Sequence, residues 1–170
     1  MRKIFSIIAF AGVAALTLTA CDKGADKPKV DVVEQKPTVL PMPTNAADTS
    51  AWKQYLVSVV SANLEGVRSN HPYMYFVPGG DDDKSKGDRE NQLTNVKNVV
   101  ARNVLPGNML AFGGPNSSMT AQFVTDAFKE AQTGAFKDVF VLFVGTPADA
   151  EAVKTALAPS AATVRFVEAK

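Results

Sequence analysis

The chain has 170 residues, with 18 Lys and Arg, 17 Asp and Glu, one His and one Cys. That length allows one domain and a tail, and a net charge of +1 gives no basic face of the kind nucleic-acid binding requires. A single Cys excludes an internal disulfide framework and a Cys-based zinc site, one His excludes a metal site built on two imidazoles, and 46% apolar residues exclude wholesale disorder.

The charge is unevenly placed. Residues 1–20 hold Arg2 and Lys3 and no acid, so 16 basic and 17 acidic residues remain in 21–170. Met1-Arg2-Lys3 precedes an apolar run from Ile4 to Leu18, followed by Thr19-Ala20 and then Cys21. A basic start, an apolar stretch and small residues form the pattern of a secretory signal. The run of 15 residues from Ile4 to Leu18 is short for a membrane span, which needs about 20.

Leu18-Thr19-Ala20-Cys21 resembles a lipobox, the cleavage motif of bacterial lipoproteins. The resemblance covers residues 1–21 only. It implies a diacylglyceryl group on the Cys21 thiol, cleavage before Cys21, and acylation of the new amine, for example by palmitate. Two or three acyl chains anchor stably where one does not. Asp22 resembles the sorting residue that retains such proteins in the inner membrane, and Lys23 beside it weakens such signals. The expected address is a membrane-anchored, periplasm-facing domain, with the inner membrane preferred over the outer.

Residues 21–48 read as the lipidated Cys and a tether. Pro28, Pro37, Pro41 and Pro43 favour extended backbone and deny a helix. Val30–Val33 and Val39–Met42 are short apolar spots on which a partner could dock.

The folded domain is expected over 49–170, as a small α/β three-layer sandwich with a mainly parallel four-stranded sheet in the order αβαβαβαβ. It holds 12 basic and 12 acidic residues. Trp52, Tyr55, Leu56, Val59, Val60 and Asn63 recur at helical spacing. Tyr73–Val77 reads as a buried strand, closed by Pro78-Gly79-Gly80. Asp88 is expected to cap a helix bearing Leu93, Val96, Val99 and Val100. Met109–Phe112 is the second strand, and Ser117 or Ser118 caps the third helix, which Gly134 ends. Val139–Val144 is the third strand. Thr146-Pro147-Ala148-Asp149 is a helix start, with Thr at the cap, Pro at the first position and an acid at the third. Pro159 ends that helix and Thr163–Val167 is the last strand. Strand order 2-1-3-4 is the simplest arrangement with right-handed crossovers.

The functional clues lie in the loops that follow strands, where ligands of open parallel sheets gather at a switch in strand order. Gly113-Gly114-Pro115-Asn116-Ser117-Ser118 and the turn at Thr146 could present helix N-termini to a carboxylate or phosphate. Turn geometry and helix capping would select the same residues with nothing bound. Asp81-Asp82-Asp83 is a candidate partner loop. Counted as an EF-hand from Asp81, it has Lys86 where Gly is needed and Gln92 where Glu is needed, so no metal is expected. No GxxxxGK[ST] or GxSxG motif occurs, and His71 precedes the first strand, away from Ser117. No catalytic residue and no cofactor are expected. The leading expectation is a lipid-anchored, non-catalytic protein that holds or neutralises a protein partner in the envelope, as scaffold or immunity-type protein. A small anionic-ligand binder or hydrolase using the Gly-rich loops is the alternative.

Overall fold

The alternation is realised as four helices and four strands in a computed structural model that describes residues 37–102 and 104–170. Cys21, Asp22, the signal-like segment and Val30–Val33 lie outside the described residues. The elements are α1 (Thr49–Ser61), β1 (Tyr73–Phe76), α2 (Asp83–Ala101), β2 (Met109–Gly113), α3 (Ser117–Phe128), β3 (Phe140–Gly145), α4 (Pro147–Leu157), a 3-10 turn at Ala158–Ser160, and β4 (Thr163–Glu168).

The sheet is parallel throughout and its strands lie in sequence order, β1-β2-β3-β4. This corrects the expected order 2-1-3-4. The reason is which face each helix takes. Right-handed crossovers between strands laid down in order put every connecting helix on one face. Val96 and Val100 of α2, Phe123 and Val124 of α3, and Val153 and Leu157 of α4 share one core, around Leu110, Phe112, Val141 and Phe143. α1 precedes β1 and is not a crossover. It packs Trp52, Leu56, Val59 and Val60 on the other face, against Phe76, Met109, Ala111, Leu142 and Val144. A 2-1-3-4 order would send α2 to the face that α1 occupies. The outcome is three layers, with one helix on one side of the sheet and three on the other.

The sequence pattern explains β2 and β3. Both are apolar on both faces, as a central parallel strand must be, and Leu110, Ala111, Phe112, Val141, Leu142 and Phe143 are fully covered. β1 departs from expectation. It is an edge strand, with Tyr73 and Met74 each 43% exposed and only Phe76 of its four residues buried. An edge cannot be recognised without the strand order.

The chain before α1 already touches the domain. Leu40 N–H donates to Ser58 Oγ at 3.0 Å, Trp52 Nε1 donates to Asn45 O at 3.2 Å, and Met42 packs on the α1-side core. Trp52 meets Tyr55 edge to face, at 5.8 Å. Both are buried, so this pair seals α1 to the sheet.

Candidate functional site

The loops that follow β1, β2 and β3 converge at the carboxyl edge, where sequence reasoning placed the site. The first runs from Val77 to Asp82. Asp82, not Asp88, caps α2: its Oδ1 accepts from Ser85 N–H at 2.9 Å and its Oδ2 from Ser85 Oγ at 2.6 Å. The Ser85 hydroxyl, and then its N–H, hold the Asp82 carboxyl below the usual range. Asp88 instead pairs with Lys84 at 2.7 Å, one turn along the helix. Asp81, Asp82 and Asp83 are all exposed, so the acidic run is a capped helix start. Among the described residues, no group of three His, Cys, Asp or Glu side chains is placed to hold a metal ion.

The second and third loops start α3 and α4. Asn116, not Ser117 or Ser118, caps α3, accepting from Met119 N–H at 3.0 Å. That frees Ser117 for another task. Its Oγ accepts from Thr146 N–H at 2.8 Å and donates to Asp149 Oδ2 at 2.5 Å. Thr146 caps α4 as its sequence implies, and its hydroxyl also donates to Asp149 Oδ2, at 2.8 Å. Ser117 and Thr146 are therefore brought together around one carboxylate. Ser118 is exposed and lines a separate cleft between α2 and α3.

The glycines mark where these loops touch. A Cβ at Gly114 would stand 2.1 Å from the carbonyl oxygen of Val77. At Gly79 it would meet Pro115 Cγ at 2.8 Å, and at Gly145 it would collide with Ser117 Oγ. Gly113, the last residue of β2, is fully enclosed and accepts from Val77 N–H at 2.9 Å. The strand-end glycines allow close packing of three turns. Their order follows the strand order, which never reverses and so opens no crevice of the switch-point kind.

This arrangement limits the chemistry. Thr146 N–H and Met119 N–H are taken by side-chain oxygens, and the Ser117 and Thr146 hydroxyls are taken by the Asp149 carboxylate. Ser117 has a carboxylate neighbour but no imidazole. His71 is exposed just before β1, at the amino edge.

Two features were missed by sequence reasoning. Beside α1, the open edge of β1 borders a hollow of about 370 Å³ lined by Lys53, Leu56, Val57, Met74, Phe76 and Gln92. Gln92 Oε1 is buried and has no hydrogen-bond partner among the described residues. The second is the α2–α3 cleft, where Arg89 lies. Its Nη1 donates to Pro78 O at 2.8 Å and Gly80 O at 2.6 Å, so it braces the first loop. No helix among the described residues is long and apolar enough to cross a membrane. No protein-family model matches this chain, and neither a curated protein nor a solved structure is significantly similar to it.

Proposed function

We propose that this chain is a lipid-anchored envelope protein, tethered through Cys21 and facing the periplasm, that binds a protein partner without catalysing a reaction. The observation that carries the binding part is the β1 edge. Among the described residues β1 pairs with β2 alone, which leaves its outer backbone as an edge. Tyr73 and Met74 on the strand and Val57 on α1 are exposed beside it, Val57 by 46%. An unpaired strand edge takes an extended segment by backbone hydrogen bonding, with side-chain pockets giving selectivity. The adjoining hollow, lined by Leu56, Val57, Met74 and Phe76, would take an apolar side chain of such a segment. At the carboxyl edge, by contrast, the turns after β2 and β3 close on one another through Ser117, Thr146 and Asp149, and the hollow beside the turn after β1 has the exposed acid Asp82 in its wall, which favours this reading over the anion-binding alternative. The lipobox-like residues support the anchor, and Asp22 supports retention in the inner membrane.

The test is site-specific photo-cross-linking in intact cells. A photoreactive residue at Met74 is expected to capture one discrete protein, and the same residue at Ala152, exposed on α4, is not. Equal capture at both sites, or none at Met74, overturns the binding reading. For the anchor, Cys21→Ser is expected to abolish palmitate labelling and release the protein from washed membranes. Retention of the variant on the membrane overturns the anchor.

A further inference from the structure

The chain enters the domain from one end of the sheet. α1 begins beside the turn after β1, where Thr49 shares a hollow with Pro78, Gly79 and Gly80. The turn after α1 reaches the start of β2, with Arg68 N–H donating to Gly107 O at 2.8 Å. α1 therefore runs from the carboxyl edge of the sheet to its amino edge. The segment before it runs the opposite way. Leu40 N–H meets Ser58, in the last turn of α1, and Asn45 O meets Trp52, in the first. From Leu40 back to residue 37 the chain thus leads off at the amino edge. Cys21 stands 16 positions before Pro37, a length that spans at most about 55 Å, so a lipid on Cys21 keeps the domain within that reach of a bilayer.

The same edge carries an exposed apolar tip. Leu105, in the turn after α2, is 75% exposed, more than any other large apolar side chain among the described residues. Its turn is tied to two others: Gly107 N–H donates to Asp138 O at 2.6 Å, and Gly107 O accepts from Arg68. The connections at this edge hold Arg68, Arg102, Lys129 and Lys137 against Glu65, Glu130 and Asp138, all exposed. The ion pairs among the described residues use Lys84, Lys154 and Lys170, so none of those amino-edge cations is paired with an acid there. At the carboxyl edge the connections hold Asp48, Asp81 and Asp82 against Lys170 alone, and α2 opens on Asp83. The surplus is positive at the amino edge and negative at the carboxyl edge. An anionic surface attracts the first and repels the second.

We infer that the amino edge of the sheet seats on the anionic lipid headgroups of the membrane that holds the chain. Leu105 enters the headgroup layer, and the cations around it meet lipid phosphates: Arg68, whose Nε lies 2.5 Å from where a Cβ on Gly107 would stand, Arg102, three residues before Leu105, and Lys137, next to Asp138. This rests on the reading that Cys21 is lipidated, and it adds an orientation. The strands then stand on the membrane by their amino ends, the acidic carboxyl edge faces away, and the β1 edge is open to the side for a partner.

The experiment uses the mature lipidated chain, purified in detergent and returned to vesicles. The lipid blocks the Cys21 thiol, so a nitrobenzoxadiazole label goes to one new thiol, from Leu105→Cys or from Ala148→Cys, which is exposed at the carboxyl edge. On vesicles containing phosphatidylglycerol the label at position 105 is expected to brighten and shift to the blue, and the label at position 148 to report water. Arg102→Gln with Lys137→Gln is expected to lower the docked-to-free ratio about twentyfold, from about fivefold per cation at an anionic surface. Raising the salt from about 0.1 to about 1 M shortens the screening length from about 10 to about 3 Å and is expected to undock the domain without any charge variant. A label at 105 that reports water on phosphatidylglycerol, an equal shift at both positions, or a shift that persists unchanged on pure phosphatidylcholine, at high salt or in the charge variant overturns the inference. If that happens to a chain that palmitate labels and that Cys21→Ser releases, the seat is wrong and the anchor stands. If Cys21→Ser stays on the membrane, the anchor falls and this inference falls with it.

Discussion

Ser117 and Asp149 lie 32 residues apart in the chain and meet through a hydrogen bond of 2.5 Å, where the turn after β2 touches the turn after β3. The same hydroxyl accepts Thr146 N–H, so one oxygen ties the starts of α3 and α4 together. Removing it leaves the Thr146 N–H and one Asp149 lone pair without their partner. Ser117→Ala is expected to lower stability by about 1–2 kcal/mol, the range for losing a half-buried bond to a charged group. Urea denaturation of the full chain measures it. A change under a few tenths of a kcal/mol would mean that water replaces the hydroxyl and that the two turns are held by packing alone.

The glycines offer a contrast within one residue type. Gly114 faces the carbonyl oxygen of Val77 at a distance that no Cβ tolerates, and backbone cannot step aside as a flexible side chain can. Gly114→Ala is expected to destabilise by about 3 kcal/mol through overpacking. Gly87, in the first half of α2, has nothing within 4 Å of where its Cβ would stand. Gly87→Ala is expected to stabilise by about 1 kcal/mol, because glycine is entropically poor in a helix. The two midpoints in urea should move in opposite directions. If both fall, the explanation of the strand-end glycines by close approach of turns loses its contrast.

Those two glycines also mark the reach of sequence reasoning. The start of α4 was legible because all its determinants are local: Thr146, Pro147 and Asp149 within four residues. The start of α2 was not. Its first ten residues, Asp83–Gln92, include no buried apolar residue, so helical periodicity is silent there and only a cap could speak. Three aspartates in a row, with another at Asp88, left that cap ambiguous. The glycine-rich ends of β1, β2 and β3 were legible as turns. That Gly114 faces Val77 O is a tertiary fact that depends on strand order. Strand order in turn depends on which face α1 takes, and no local pattern states that. The exposed edge at Tyr73 and Met74 was lost for the same reason, since an apolar run reads as buried until its neighbours are known.

The cap of α2 gives a pH-dependent expectation. Hydrogen bonds from Ser85 lower the Asp82 carboxyl from its ordinary 3.8. A carboxylate that is more acidic when folded favours the folded helix end while it is ionised. Its contribution is complete above pH 3.8 and is lost as the pH falls through the lowered folded value. The group is exposed, so the effect is local. Protection of the Ser85 amide, its exchange rate relative to that of unstructured chain at the same pH, is expected to fall over that acid range in the native chain and to lose this dependence in Asp82→Asn, which keeps a capping oxygen but does not titrate. An unchanged acid profile in the variant would assign the effect to other carboxyls.

The last prediction concerns how a lone helix is held on a whole face of the sheet. Arg165, on β4, reaches back about a hundred residues in sequence. Its Nη1 donates to Asn63 O at 2.6 Å and its Nη2 to Glu65 O at 2.5 Å, and its guanidinium lies 4.1 Å over the Phe140 ring. The two carbonyls belong to the turn that follows α1, where Gly66 turns with φ of +74°. The planar fork bonds both carbonyls while stacking on an aromatic face, which an ammonium cannot do in one geometry. Arg165→Ala is expected to lower stability by about 2–3 kcal/mol, and Arg165→Lys to recover less than half of that loss. Amide exchange over the C-terminal turn of α1, Val59–Ser61, should accelerate in both variants more than exchange in α3, which packs on the opposite face. Full rescue by lysine would reduce the role of Arg165 to a simple positive charge. Equal acceleration in α1 and α3 would show a global loss of stability instead of a clamp on α1.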